Sequence, residues 1–228
     1  MEPRLTKLND NEILKYLGYR GQKLTPEIEA QIALCEERVI AAADPRLTYK
    51  IVDVERDGPD GSGISCGGVP LAGDDIKGML EHCRRAVLVG ATLGPGIERV
   101  LRRYEITNMA DALIMDACAS TAVENVVNNF EEDMRADVEA EGLYLTERFS
   151  PGYGDLPLDT QKSLVPALEM EKRIGVSLSS SMLMIPRKSV TAVMGISDVP
   201  YVSARTECEK CMMFRDCAFR KEGTTCHG

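Results

Sequence analysis

Residues 148–157 read RFSPGYGDLP, a stretch that holds two prolines, two glycines, one arginine and one tyrosine. The prolines exclude a helix interior, because each removes a backbone donor and clashes with the preceding turn. Pro151 fixes one backbone angle, while the glycines permit left-handed geometry and close approach of the backbone. We therefore predict a loop of one defined shape that presents Arg148 and Tyr153.

The two presented side chains indicate the chemistry of a ligand. The guanidinium of Arg148 is a rigid bidentate fork for a carboxylate. Tyr153 offers an aromatic face and a polar tip. The pair would suit a ligand that combines a carboxylate, a cation and a flat ring.

The pattern Arg148-x-x-x-Gly152-Tyr153-x-x-x-Pro157 resembles the S-adenosylmethionine (AdoMet) binding motif of the activation domain of cobalamin-dependent methionine synthase. Two downstream segments match the same family in the same order. They are Leu168-Glu169-x-Glu171-Lys172-x-x-Gly175 and Met184-Ile185-Pro186-x-x-Ser189-Val190. The matches extend over about residues 145–200, and the region before residue 100 resembles only stand-alone members of the family.

The resemblance implies a function and a set of contacts. The implied function is reductive reactivation of a methionine synthase, with AdoMet presented as methyl donor to cob(I)alamin on a separate partner protein. Arg148 would grip the AdoMet carboxylate, Gly152 would let the backbone approach the adenosine, and Tyr153 would pack on the ligand. The full set of predicted AdoMet contacts is Arg148, Gly152, Tyr153, Pro157, Glu124 and Tyr201.

The implied chemistry needs positioning more than acid–base catalysis. His82 and His227 show no paired nucleophile, so we name no catalytic residue. The chain would be one part of a methyltransferase system. Its implied partners are a cobalamin-binding methionine synthase core protein, which supplies the cobalamin, and an electron donor such as flavodoxin or ferredoxin.

Two other functions stay open at this point. The chain could be a non-catalytic AdoMet-binding accessory or sensor protein that uses the same pocket without methyl transfer. It could also be a subunit of another corrinoid-dependent methyltransferase system. Formation of methylcobalamin on a partner protein would separate these alternatives from reactivation.

A polar row is expected on the longest predicted helix, which runs from Thr107 to about Glu139. Asp116, Ser120 and Glu124 follow each other at four-residue steps and therefore share one face. These residues could be solvated or capping groups, or an acid among them could hold the ligand. The family has an acidic ligand contact on the corresponding helix, and the best-matching position here is Ser120.

Composition limits the remaining possibilities. The 228 residues suffice for one large domain with an appendage. The formal net charge of -9 argues against nucleic-acid binding, which requires a basic face. No apolar run approaches the ~18 residues of a membrane helix, and no secretory signal is visible at the start. We therefore expect a cytoplasmic protein whose eight cysteines are thiols or metal ligands.

Half of the cysteines lie in a short tail. Cys208-x2-Cys211-x5-Cys217-x8-Cys226 is too short a segment for a core of its own and favours a bound metal. Zinc sites usually contain two close cysteine pairs, and only one occurs here. We favour a [4Fe–4S] cluster over zinc. A cluster would supply an electron path, whereas zinc would only stabilise the tail. Roles for Cys35, Cys66, Cys83 and Cys118 do not follow from the pattern.

The order of predicted elements indicates an α+β fold, with helices packed on a mostly antiparallel sheet. We predict an AdoMet-binding activation domain over residues 1–205 and a cysteine-rich tail over residues 206–228. A glycine turn at residues 92–96 follows a buried strand and is a weak candidate contact. Residues 181–185 and 189–196 are predicted to form an antiparallel pair across a proline turn. One helix is predicted from Ile76 to about Arg85, and another, which Asp159 and Thr160 can cap, is predicted to run to about Arg173.

Overall fold

The computed structural model describes residues 1–19, 21–57, 63–201 and 221. A six-stranded antiparallel sheet, in the order β3-β2-β1-β4-β8-β5, lies at the centre, and β6 pairs with β7 beside it. The strands are β1 Arg46–Asp57, β2 Gly63–Cys66, β3 Val69–Leu71, β4 Cys83–Thr92, β5 Tyr144–Leu145, β6 Ser177–Leu178, β7 Met184–Ile185 and β8 Ser189–Ser197.

Seven α-helices occur within the described residues and cover both faces of the sheet. The helices are α1 Asp10–Tyr16, α2 Pro26–Ala42, α3 Asp74–Met79, α4 Gly96–Thr107, α5 Met109–Ala140, α6 Gln161–Ala167 and α7 Met170–Ile174. A 3-10 turn at Leu158–Thr160 leads into α6. Together the helices and the antiparallel sheet confirm the predicted α+β class.

The sheet separates two hydrophobic cores, because successive side chains of a strand point to opposite faces. Val87 and Val89 of β4 pack against α1, α2, α4 and α5. Ala86 and Leu88 of the same strand pack against α3, α6 and α7. This central strand is buried on both sides, which explains why the sequence from Ala86 to Ala91 is apolar without alternation.

The long helix α5 forms much of the first core. Asn108 has extended backbone angles and accepts a hydrogen bond from the Asp111 N–H through its side chain, which separates α5 from α4. Met115, Cys118 and Val126 are among the buried residues of its inner face. The predicted span of this helix is confirmed to within two residues at each end.

Three local predictions were wrong. β7 pairs with β6 and not with β8, whose neighbours are β4 and β5. The helix predicted to run to Arg85 ends at Met79, because β4 begins at Cys83 and pairs there with Ser197. The helix predicted to continue to Arg173 is interrupted between α6 and α7, where Glu169 has a left-handed φ of 52°.

Candidate functional site

The motif loop, residues 148–157, is closed on itself and fixed to the sheet. Phe149 exchanges two backbone hydrogen bonds with Val193 of β8, at 2.9 and 2.8 Å. The Gly152 N–H donates to the Leu156 carbonyl at 2.9 Å, and the Leu156 N–H donates to the Tyr153 carbonyl at 3.1 Å. The Leu156 side chain is 1% exposed and belongs to the second core. The predicted loop of defined shape is therefore present.

Arg148 lies against α5 rather than in open solvent, with a side chain that is 13% exposed. Its Nη1 lies 3.2 Å from Glu124 Oε2 and its Nη2 lies 2.5 Å from Asn128 Oδ1. Its Nε lies 2.8 Å from Glu131 Oε2 but makes no aligned hydrogen bond, so we regard that contact as an ion pair only. The structure thus brings together Arg148 and Glu124, two of the predicted site residues.

The residues Asp116, Ser120, Glu124 and Asn128, here called the α5 polar stripe, follow each other at four-residue steps. Lys188 binds the first two members: its Nζ lies 2.8 Å from both Ser120 Oγ and Asp116 Oδ1. Arg148 binds the last two. Glu124 is thus paired with a cation that the motif loop supplies.

Lys188 comes from the matching segment of residues 184–190, here called the second motif, which is also joined to the predicted glycine turn. The Leu93 N–H donates to the Lys188 carbonyl at 3.0 Å, and the Ser189 hydroxyl donates to Thr92 Oγ1 at 2.8 Å. The stripe therefore has the motif loop at one end and the second motif with the glycine turn at the other. The Ser120 contact of Lys188 and the Glu124 contact of Arg148 lie about one helical turn apart, or roughly 6 Å along the axis.

Helix α1 borders the same region, which the sequence reasoning missed. The Thr6 N–H donates to Asn125 Oδ1 at 2.9 Å, and the Asn129 side chain donates to the Arg4 carbonyl at 3.0 Å. Asn125 and Asn129 each follow a member of the stripe, so the segment that precedes α1 and the motif loop approach neighbouring faces of α5. This proximity depends on packing between distant segments, and no local pattern around α1 indicates it.

Two side chains of α1 are electrostatically coupled to the motif. Burial, with Glu124 and Tyr153 as further causes, raises the pKa of Tyr16 to about 12. Burial also raises the pKa of Glu12, with Lys15 lowering it and Glu124 raising it. The Tyr16 and Tyr153 residues are 48% and 62% exposed, so both rings are accessible. The cluster combines carboxylates, one guanidinium and two aromatic faces.

The other predicted contacts lie elsewhere or stay predictions. Tyr201 packs against the second core and its hydroxyl donates to Glu147 Oε1 at 3.1 Å. Arg148 meets α5 on the opposite side of the sheet. Pro157 is exposed and precedes the 3-10 turn, so it shapes the exit of the motif loop.

The four cysteines within the described residues are buried free thiols. Burial raises the pKa of Cys66 to about 12, of Cys83 to about 11 and of Cys118 to about 12. These thiols are therefore protonated near neutral pH and behave as small apolar groups. Cys208, Cys211, Cys217 and Cys226 lie outside the described residues. Elsewhere, in the part of the chain that the structure does describe, no cluster of His, Cys, Asp or Glu could hold a metal.

Two further features of the described residues concern the surroundings of the site. An open cavity of about 560 Å³ lies between α6, α7 and β6, with Val165, Met170 and Leu178 on its apolar side. No residue of the motif loop or the stripe lines it, so its size does not make it the candidate site. Among the described helices, none has both the length and the apolar character needed to cross a bilayer.

Comparison with known proteins relates the chain to one family. Residues 91–202 match the family model described as "Vitamin B12 dependent methionine synthase, activation domain". The fold is similar to that of the "Crystal Structure of the MetH Reactivation Domain bound to AdoHcy", with a TM-score of 0.62 and 15% sequence identity. This alignment covers 96% of this chain and 82% of that chain. No curated protein matches the chain in sequence. The matched range contains α5, the motif loop and the second motif.

Proposed function

We propose that this protein reactivates a methionine synthase, because residues 91–202 match the family model of the vitamin B12 dependent methionine synthase activation domain, as the three motifs indicated. It would bind AdoMet and present the methyl group to cob(I)alamin on a separate partner protein, after a donor such as flavodoxin or ferredoxin has supplied one electron to cob(II)alamin. The methyl carbon moves to cobalt, and the electron pair of the broken C–S bond stays on sulfur. AdoHcy is therefore the coproduct.

The main support for the proposal is the ion pair between Arg148 and Glu124. Arg148 belongs to the motif loop that also contains Tyr153, so the loop and α5 meet at this pair. The amino-acid end of AdoMet is a zwitterion, whose carboxylate complements a guanidinium and whose ammonium complements a carboxylate. This end would bind by exchange, with its carboxylate on Arg148 and its ammonium on Glu124. Asn128 and Glu131 would keep the guanidinium in place during the exchange.

The sulfonium of AdoMet gives the α1 side chains a role. A cation is favoured near carboxylates and over the faces of aromatic rings. Glu12 and Glu124 supply carboxylates near the loop, and Tyr16 and Tyr153 supply accessible rings. AdoMet would therefore bind more tightly than a ligand without the positive sulfur. The AdoHcy bound to the protein of similar fold supports a ligand of this class, since AdoHcy is AdoMet without its methyl group.

We also propose an organisation for the rest of the chain. Residues 1–205 would form the AdoMet-binding domain, and the tail of residues 206–228 would hold a metal on Cys208, Cys211, Cys217 and Cys226. The spacing of these cysteines supports a [4Fe–4S] cluster over zinc. The four free buried thiols of the described residues fit a reducing compartment, which supports the cytoplasm.

The decisive experiment is anaerobic methylation of a cobalamin-bound methionine synthase core that lacks its own activation domain. We expect the purified chain, a chemical reductant and AdoMet to convert cob(II)alamin to methylcobalamin, followed by its visible absorbance, with one AdoHcy released per cobalamin. Arg148→Met should abolish most of the conversion at limiting AdoMet. The matched control is Arg173→Met, which removes an exposed arginine paired only with Glu169 among the described residues.

The outcome separates reactivation from the alternatives. AdoMet binding without methylcobalamin in the presence of the reduced core would contradict reactivation and favour an accessory or sensor protein. Conversion with a corrinoid protein of another methyltransferase, but not with the methionine synthase core, would favour a subunit of that system. No binding of either AdoMet or AdoHcy by the full chain would exclude all three.

A further inference from the structure

Asp155 lies inside the motif loop, two residues after Tyr153, but its carboxylate binds a distant part of the chain. Its Oδ2 accepts a hydrogen bond from the backbone N–H of Asp74 at 2.5 Å. The N–H of Asp75 lies 3.3 and 3.4 Å from its two carboxylate oxygens. These amides begin α3, whose N-cap residue, Gly73, has no side chain that could accept them. The loop therefore supplies the missing cap of α3.

Two glycines allow this close approach. A Cβ on Gly73 would lie 2.9 Å from Asp155 Cγ and 3.0 Å from its carbonyl oxygen. A Cβ on Gly154 would lie 2.6 Å from Asp75 Oδ2. Both glycines also have positive φ values, 128° and 52°, which other residues rarely adopt. The contact between the loop and α3 is thus built into the backbone of both segments.

The contact also lies two residues from Tyr153 in the motif loop. Asp155 lies within the turn that the Gly152–Leu156 and Leu156–Tyr153 backbone bonds close. Leu156 anchors one end of the turn in the second core, and α3 is anchored in the same core by Ile76. The Tyr153 residue is 62% exposed, so its own packing contributes little to its placement. The backbone on either side of Tyr153 must therefore fix where the ring points.

We propose that Asp155 is a positioning residue, which holds Tyr153 in its ligand-binding place through α3 before any ligand arrives. The inference rests on the proposed function only in taking Tyr153 as a ligand contact. A preformed loop loses less conformational entropy when the ligand binds, so the Asp155 bonds raise affinity without touching the ligand. The same bonds stabilise α3, and the test must separate these two effects.

The test uses the full chain and a single fluorescent reporter. The sequence contains no tryptophan, so Tyr153→Trp places a unique probe in the loop. In this background, Asp155→Ala should lower the fluorescence anisotropy of the probe without ligand. In the Tyr153 background it should weaken AdoHcy binding about tenfold in calorimetry, because the ligand must then order a loop that the parent holds in place beforehand. Asp155→Asn keeps one acceptor oxygen and should stay within about threefold of the parent.

Two controls separate positioning from general destabilisation. Ile76→Val loosens the core under α3 but leaves the Asp155 bonds intact, and it should lower the melting temperature without changing the anisotropy or the affinity. Asp159→Ala removes an exposed carboxylate of the neighbouring 3-10 turn that binds Lys162, and it should change neither the anisotropy nor the affinity. The proposal is overturned if Asp155→Ala keeps the parent anisotropy, or if Ile76→Val reduces anisotropy and affinity equally. Absence of AdoHcy binding by the parent would refute the proposed function, while the anisotropy would still decide the role of Asp155.

Discussion

Lys188 Nζ lies 2.8 Å from Ser120 Oγ, which ties the second motif segment to the same face of α5 that Arg148 contacts. The lysine side chain is 12% exposed and also lies 2.8 Å from Asp116 Oδ1. The two motifs are far apart along the chain, and α5 brings them onto successive turns. A ligand bound at Arg148 could therefore extend along the stripe and contact the second motif.

Lys188→Met should lower stability more than affinity. The substitution removes the ammonium bonds to Ser120 and Asp116, but Asp116 is half exposed and can be hydrated. We expect the free energy of unfolding to fall by about 1 kcal/mol. AdoHcy affinity should stay within about threefold, because the bonds connect protein groups to each other.

Urea denaturation and calorimetry on the same samples test the Lys188 prediction. Lys162→Met is the matched control, since Lys162 is an exposed lysine paired with Asp159, and it should change the free energy of unfolding by less than about 0.5 kcal/mol. A Lys188→Met variant as stable as the parent would contradict the role of the stripe in joining the two motifs.

Arg148→Met should weaken AdoHcy binding by about 1.5–3 kcal/mol if the guanidinium takes the ligand carboxylate by exchange. Glu124→Gln should have a smaller effect on a ligand that lacks its ammonium, because the two residues would bind opposite charges of the zwitterion. Calorimetry with AdoHcy and with its deaminated analogue tests both statements.

The double variant adds a check on the Arg148 prediction. If both charges bind one ligand, the losses from Arg148→Met and Glu124→Gln should not add, since the residues also bind each other. Unchanged affinity in Arg148→Met would refute the assignment of the carboxylate, whatever the result for Glu124.

Tyr16 should make the protein less stable at alkaline pH. Its folded pKa of about 12 exceeds the ordinary tyrosine value of 10.0, so the unfolded chain loses this proton at a lower pH than the folded chain. The stability that the neutral phenol contributes is complete below pH 10 and is lost as the pH rises to about 12. Tyr16→Phe should remove this loss.

Two measurements check the alkaline prediction. The free energy of unfolding should decrease between pH 10 and 12 less steeply in Tyr16→Phe than in the parent. Absorbance of tyrosinate should show one late-titrating group fewer in Tyr16→Phe than in the parent and in the control Tyr144→Phe. Equal slopes in all three proteins would show that burial does not raise the pKa of Tyr16 in the folded chain.

The tail cysteines should bind a metal that is visible in anaerobically purified protein. For a [4Fe–4S] cluster we expect a broad absorbance in the blue region and about four iron atoms per chain. A variant with serine at Cys208, Cys211, Cys217 and Cys226 should lose the absorbance. Colourless protein with one zinc per chain would show that the tail binds zinc in place of a cluster. Protein free of both metals would refute a metal site in the tail.

The sequence predicted those features that depend on local patterns. The motif loop follows from the geometry of its prolines and glycines, and α5 follows from its apolar period. Glu12 and Tyr16 could not be predicted as neighbours of Arg148, since α1 reaches α5 only through packing. The partner of β7 was wrong because strand pairing is non-local, and the interruption at Glu169 requires a left-handed backbone that its residue type does not indicate.

The paired segment formed by β5 and Phe149 has a consequence for solubility. This segment occupies the outer side of β8, an apolar strand whose free backbone groups would otherwise invite a strand from a second molecule. The beginning of the motif loop thus also shields the margin of the sheet from intermolecular association. A substitution that loosened this segment would expose the backbone groups of β8 and favour aggregation. The residues at this position must therefore both support ligand binding and keep the protein monomeric.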